Sequence, residues 1–333
     1  MYRALGNMTL RSGEEVEAGV VVAPDPAWAA AIGPMLQHKG APWTWQIERV
    51  LTQNLGLDVF FYLLHRAGLP FANIMTVERH GVGIFGHVWT EPADRRQGAS
   101  SQLMTLQMAD FQARGGAALY LGTRYDSPAY RMYAMQGFAG IEPASGCMAY
   151  VGAAGADMQD GWFAPTSVAV EPLDWRHWPL LQPLCLSAAP ELVRSAATHL
   201  YGRDIAEGPG LTLIRANEDA AAEGEPPAAV VLVNTTTGAV LGLASAVPHP
   251  LWPQARLVDL FCHQDFWSHG EAMLGELRLA NELQIAYADD AAMVQQQAYA
   301  NLGFVQTATV ARPLSWTPGG AGPSSNLLVY ERS

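Results

Sequence analysis

The chain is almost without lysine. Lys39 is the single one among 19 basic residues, and these face 31 acidic residues for a formal net charge of −12. A balance of that sign argues against nucleic acid or an anionic membrane as the main partner, since both repel it. It is compatible with a cationic small substrate such as an amine, and equally with solubility alone. Cysteine is scarce as well. Cys147, Cys185 and Cys262 stand far apart with no C-x-x-C spacing, which excludes a disulfide framework and a zinc site built on that pattern. No stretch approaches the roughly 18 apolar residues of a membrane-spanning helix, and the start "MYRALGNMTLRSGEE" has no apolar signal core. The expectation is a cytoplasmic protein with no nucleic-acid or membrane partner.

What is present is apolar residue in quantity. Half of the 333 residues are hydrophobic, enough for two proper cores. In the first half, "PAWAAAIGPMLQHKG" (26–40) and "WTWQIERVLTQNL" (43–55) read as short helices. "DVFFYLLH" (58–65), "FANIMTVE" (71–78) and "VGIFGHVWT" (82–90) read as strands joined by tight turns, an antiparallel meander. A helix over 100–116 follows, ended by Gly115 and Gly116, then a strand over 117–123. The next helix, 127–137, has Ser127 as its cap and Pro128 just inside. From Val151 to about Thr166 the chain is rich in Gly and Ala and reads as a linker, giving domains 1–155 and 166–333.

The second half repeats the order. Helices are expected at 174–187, 189–202, 267–282 and 293–303, and strands at 210–216, 228–235, 238–247, 255–263, 283–289, 304–310 and 326–332. Three landmarks register the copies. Gly98 in "RRQGAS" matches Gly270 in "WSHGEA"; His87 and Asp259 each stand eleven residues before that glycine; and "YAMQGF" (133–138) matches "YANLGF" (299–304). Internal duplication is the largest organisational signal in the chain.

The chemistry concentrates in Arg95-Arg96-Gln97-Gly98-Ala99-Ser100-Ser101, between a strand and a helix. A helix start leaves backbone N–H groups unpaired and carries positive partial charge. Glycine lets a bulky anion approach, and arginine donates to phosphate in pairs. The plain alternative is a solvated basic loop entering a helix. The surrounding order resembles the GNAT superfamily of acyl-CoA N-acyltransferases. Its R/Q-x-x-G-x-G/A motif is matched by residues 95–100 with Ser100 in the last place. Its later N-x-x-A-x-x-x-Y-x-x-x-G-F pattern is matched by Asp126, Ala129, Tyr133, Gly137 and Phe138, with aspartate for asparagine.

That resemblance implies an α/β (α+β) fold of two tandem GNAT-like domains, each a mixed, mostly antiparallel sheet flanked by helices. It implies acetyl-CoA as cosubstrate with no metal, an N-terminal catalytic domain, and a monomer or homodimer. Backbone groups of Val88, Trp89 and Thr90 would bond the pantetheine arm. The amides of Gln97 through Ser101, with Arg95 and Arg96, would hold the pyrophosphate, and Asp126 and Ala129 would line the arm. Tyr133 takes the place of the general acid, or is a core aromatic; Tyr130 is held in reserve. His87 takes the strand place of a base, or is a histidine bonded within the sheet. Glu78 and His80 are further candidates. Trp43, Trp45 and Phe61 would roof the acceptor pocket, or belong to the core.

The second copy serves as a control. Trp267 stands where the first has Arg95, and Glu271 would sit beside a phosphate and repel it, although Ala272 and Tyr299 are retained. A degenerate copy with weak or absent coenzyme binding is expected, in which Asp259 means little by itself. The function implied is acetyl transfer from acetyl-CoA to a primary amine of a small molecule or peptide. The alternatives are decarboxylation of an acyl-CoA, another acyl transfer, or a non-catalytic acyl-CoA-binding module.

Overall fold

The computed structural model describes residues 1–155, 161–279, 282–314 and 325–333. Two compact units emerge, Met1–Met158 and Gln159–Ser333. Each is a mixed, mostly antiparallel sheet flanked by helices, the fold class the element order implies.

The first unit opens with β1 (Tyr2–Thr9) and β2 (Glu15–Ala23), an antiparallel pair that the sequence reading had not placed. Helices α1 (Pro26–Leu36) and α2 (Trp43–Thr52) follow, then the meander β3 (Asp58–Arg66), β4 (Leu69–Arg79) and β5 (Val82–Thr90). Helix α3 (Ala99–Ala113), β6 (Ala118–Gly122), α4 (Pro128–Ala134), β7 (Ala139–Gly140) and β8 (Cys147–Val151) complete it. The strand order is β1-β2-β3-β4-β5-β6-β8-β7. Local chemistry sets the helix starts. Asp25 accepts from the N–H groups of Ala27 and Trp28 with Pro26 following, and Ser127 accepts from Tyr130 N–H with Pro128 following. One sheet face packs Phe60, Tyr62, Leu64, Ile74 and Phe85 against Leu103, Met104 and Phe111 of α3; α1 and α2 cover the other.

Two departures from regularity matter. The β5–β6 pair is parallel and spans only Val82–Ile84 against Ala118–Tyr120, so His87–Thr90 run on past that pairing. The β4–β5 register shifts between Asn73 and Met75, which face Trp89 and Gly86. The extra β5 residue makes a bulge, with His87 at a left-handed φ of 50°.

The second unit runs β9 (Val168–Pro172), a 3-10 turn (Trp175–His177), α5 (Leu181–Leu186), the hairpin β10 (Val193–Ser195) and β11 (Leu200–Tyr201), and α6 (Glu207–Glu223). The meander β12 (Ala229–Asn234), β13 (Val240–Pro248) and β14 (Ala255–Cys262) comes next. Then come α7 (Gly270–Glu276), β15 (Leu283–Asp289), α8 (Met293–Asn301), β16 (Val305–Leu314) and β17 (Ser325–Arg332). Apart from the β10–β11 hairpin, the first unit has the same succession from β2 onward, including one parallel pair, here β14–β15 over Ala255–Val258.

Two expected elements are corrected. Residues 189–202 are not a helix: β10 and β11 lie there, because Asp289 and Asp259 draw the backbone N–H groups of 192, 193, 196 and 197 out of any helical pattern. Residues 210–216 are not a strand: they sit inside α6, whose buried Leu211 and Ile214 are three apart on one face. A seven-residue apolar run does not separate the two states. Part of the expected linker (156–160) and the end of the expected helix over 267–282 (280–281) lie outside the described residues. No helix among the described residues is long and apolar enough to cross a membrane.

Candidate active site

The loop after β5 turns through a short 3-10 segment, Pro92–Asp94, and reaches α3 through two left-handed residues, Arg96 (φ 65°) and Gly98 (φ 83°). Gly98 is the residue before the first helical turn, so the leading amides of α3 face the loop. A Cβ on Gly98 would meet Gln102 Nε2 at 3.3 Å and Arg11 Nε at 3.7 Å. Arg11 comes from the β1–β2 turn, whose backbone docks here: Arg11 N–H donates to Gln97 O (3.0 Å) and Gln102 Nε2 to Thr9 O (3.2 Å). Three arginines, Arg11, Arg95 and Arg96, are therefore exposed around one helix start. Arg11 was missed in the sequence because only the hairpin brings it here.

The strand residues divide by face. Thr90 lies on the α3 side, its Oγ1 2.8 Å from Ser100 Oγ, and Val88 packs on the core of that side. Trp89 contacts both the His38 ring (centroids 3.7 Å apart) and the Arg95 guanidinium (4.6 Å), while Arg95 Nε donates to Thr90 O (3.0 Å). Ala99 is buried at the start of α3, and Ser101 O accepts from Thr105 Oγ1. On α4, Ala129 packs against the core and Tyr133 is buried edge-on to Phe85 of β5 (5.3 Å). Asp126 is exposed in an ion pair with Arg131 (3.3 Å), turned to solvent.

His87 points to the α1–α2 side. Its Nε2 bonds Gln46 Oε1 (2.9 Å) and its ring stands edge-on to Trp43 (5.5 Å). Burial, and then the charges of Lys39 and His38, push its pKa down to about 3. An imidazole so held is neutral and accepts a hydrogen bond well, but it keeps an abstracted proton poorly at neutral pH. Of the other candidates, Glu78 is locked: Arg114 donates to it at 2.7 and 2.9 Å and Thr76 Oγ1 at 2.6 Å. Phe61 is wholly core. The two candidate catalytic groups thus approach β5 from opposite faces, Tyr133 from the α3–α4 side and His87 from the α1–α2 side.

The second unit shows the same frame closed. Gly270 is right-handed (φ −58°), with Leu260 against it, and a 3-10 segment, Gln264–His269, runs straight into α7. Where the first unit has Ala129, four before its tyrosine, the second has Gln295, four before Tyr299. Gln295 Nε2 donates to Leu260 O (3.0 Å) and Val193 O (3.2 Å), and Leu260 N–H donates to Tyr299 Oη (3.2 Å). Both polar backbone groups of β14 beside the parallel pair are therefore satisfied from within. Asp259 is buried, its pKa raised by burial, and accepts from Ser195 Oγ and the N–H groups of Ala196 and Ala197 at 2.8–3.0 Å. It fastens the β10–β11 hairpin over that face of the sheet. The glutamine was legible in the sequence, in the alanine place of the late motif.

No family model matches the chain, and no curated protein matches it. Solved structures do. An N-acetyltransferase from Staphylococcus aureus Mu50 is similar at 13% identity over 50% of this chain and 98% of its own, with a TM-score of 0.38. A ribosomal-protein-alanine N-acetyltransferase from Brucella melitensis is similar at 17% identity over 49% and 98%, TM-score 0.36. A diaminobutyrate acetyltransferase from Paenibacillus lautus, in complex with its substrate and coenzyme A, is similar at 14% over 50% and 95%, TM-score 0.34. Each is about half as long as this chain.

Proposed function

We propose that the first unit, residues 1–155, transfers an acetyl group from acetyl-CoA to a primary amine by direct attack, and that the second, residues 166–333, binds no coenzyme. The contrast between the copies carries this reading. The first has a left-handed glycine with three arginines at a helix start and an alanine four residues before Tyr133; the second has a right-handed glycine, Trp267 in the place of Arg95 and Gln295 in the place of that alanine.

In this reading the amides of Gln97 through Ser101, with Arg11, Arg95 and Arg96, hold the diphosphate. Positive charge comes from guanidinium groups and the helix start, so no metal is called for. The backbone of Val88–Thr90 offers the pantetheine arm an edge to pair with, past the end of the β5–β6 ladder. The thioester supplies the acetyl carbon: the amine nitrogen bonds to it, the C–S bond breaks, and its electron pair leaves on sulfur. Tyr133 donates a proton to that sulfur from the α3–α4 side. His87 accepts a hydrogen bond from the incoming amine on the other side, and the amine's surplus proton passes to solvent.

Calorimetry with coenzyme A on the full chain tests the site, followed by mass spectrometry of amine mixtures incubated with acetyl-CoA. The parent is expected to bind one coenzyme per chain and to acetylate amines, and Tyr133→Phe to bind equally and turn over more slowly. Two coenzymes per chain, or none, would refute the assignment.

A further inference from the structure

Beneath α2, on the face opposite α3, one polar atom is left over. Asn73 has no exposed surface, and its Oδ1 is the unsatisfied half of its amide. The amide cannot be turned around to cure this. Its Nδ2 donates to His87 O at 2.9 Å, and reversing it would press two carbonyl-type oxygens together. A buried acceptor without a donor is costly, so such a group calls for a reason. His87, whose carbonyl Asn73 holds, carries the second acceptor. Gln46 takes the Nε2 side of His87 through Oε1 and turns its own Nε2 to Met75 Sδ (3.7 Å), leaving His87 Nδ1 as the unprotonated nitrogen. His87 Nδ1 has no partner among the described residues. The bulge that lifts His87 and the amide of Asn73 that grips its carbonyl therefore put two neutral acceptors on the same side of the sheet.

We propose that Asn73 Oδ1 and His87 Nδ1 together receive the two N–H groups of a primary amine, which makes the N-terminal unit selective for primary over secondary amines and over alcohols. The inference rests on the acyl-transfer reading above. A neutral primary amine has two donors and one lone pair. With both donors engaged, the lone pair is the part left for bond formation. A secondary amine fills one acceptor and strands the other, and an alcohol does the same. Neutral acceptors also avoid stabilising the ammonium form, which has no lone pair to offer. The nearby cation Lys39 acts in the same sense: it disfavours charge on His87 and would disfavour it on an adjoining amine. Asn73 Oδ1 is buried, so neighbouring side chains must move for the amine to reach it, a motion ordinary at binding sites.

The test follows thiol release from acetyl-CoA with n-butylamine, N-methylbutylamine and n-butanol as acceptors, alongside calorimetry with coenzyme A. The parent is expected to favour n-butylamine over N-methylbutylamine by roughly tenfold or more in kcat/KM, the value of one stranded hydrogen bond. Asn73→Leu is expected to bring that ratio near unity and to raise the KM for n-butylamine roughly tenfold. Its coenzyme affinity is expected to stay within about threefold of the parent's. Should Asn73→Leu fail to fold, the parent's ratio and a saturable ¹⁵N shift of His87 Nδ1 on adding n-butylamine to the coenzyme-bound protein decide the matter. A parent that binds coenzyme A yet shows no preference and no shift, or a leucine variant that keeps the preference, overturns the inference alone. A parent that binds no coenzyme sinks the acyl-transfer reading itself.

Discussion

Replacing Ala129 by glutamine should convert the first unit into the closed state that the second already shows. The position lies four residues before Tyr133 on α4, as Gln295 lies four before Tyr299. In the second unit the Gln295 amide holds Leu260 O at 3.0 Å, and Leu260 stands one residue after Asp259 as Val88 stands one after His87. A glutamine at 129 would reach the Val88 backbone in the same way. A pantetheine arm would then lose about two main-chain hydrogen bonds to β5, near 1 kcal/mol each, and would have to displace one new internal bond of similar size. The sum is about 3 kcal/mol, or a loss of coenzyme affinity of roughly a hundredfold. Folding stability should change by less than about 1 kcal/mol, since the side chain gains a partner and Ala129 is only half buried. Calorimetry with coenzyme A on the full chain measures the first quantity and denaturant titration the second. Ala129→Ser, too short to cross the gap, is the control and should bind like the parent. A dissociation constant within threefold of the parent for Ala129→Gln would show that no ligand lies along that strand edge, and the comparison of the two copies would lose its meaning.

Three further outcomes are expected. Gly98→Ala places a side chain at φ 83° and against Gln102 and Arg11, so it should cost about 1–2 kcal/mol of stability and weaken coenzyme A further than Ser101→Ala does, both read by melting and calorimetry. His87 is neutral when folded, with its pKa at about 3 against an ordinary 6.5, so the unfolded chain binds the extra proton as pH falls through this window. Stability from this group is full above 6.5 and falls with pH, by about 2–3 kcal/mol between pH 6.5 and 4.5, and His87→Asn should flatten that slope in denaturant titrations. Arg114→Met strands the buried Glu78 carboxylate and removes the cation from Phe60 (3.7 Å), for an expected loss of about 3 kcal/mol with coenzyme affinity unchanged.

Much of the frame was readable along the chain. The strands over 82–90 and 283–289 fall where alternation and turn residues put them, and Ser127-Pro128 opens its helix as capping chemistry dictates. Reading failed where a distant partner decides. "APELVRSAATHLYG" has helix-forming composition, yet two buried aspartates from β14 and β15 claim its amides. "GLTLIRA" has strand-like residues, yet it lies inside a seventeen-residue helix whose polar continuation was cut off from the window. The β1–β2 pair escaped notice because β1, "YRALGNMT", is mostly exposed and carries little periodicity.

By itself, then, the sequence determined the duplication, the order of elements and the glycine–arginine loop, since these depend on residue type and spacing within a few turns of chain. Tertiary structure alone decided which loop presents a left-handed glycine, that Arg11 joins it, that His87 is lifted by a bulge and held neutral, and that Asn73 keeps an unanswered oxygen. Those properties arise from burial and from pairings between residues far apart in the chain, and neither quantity is a function of local spacing.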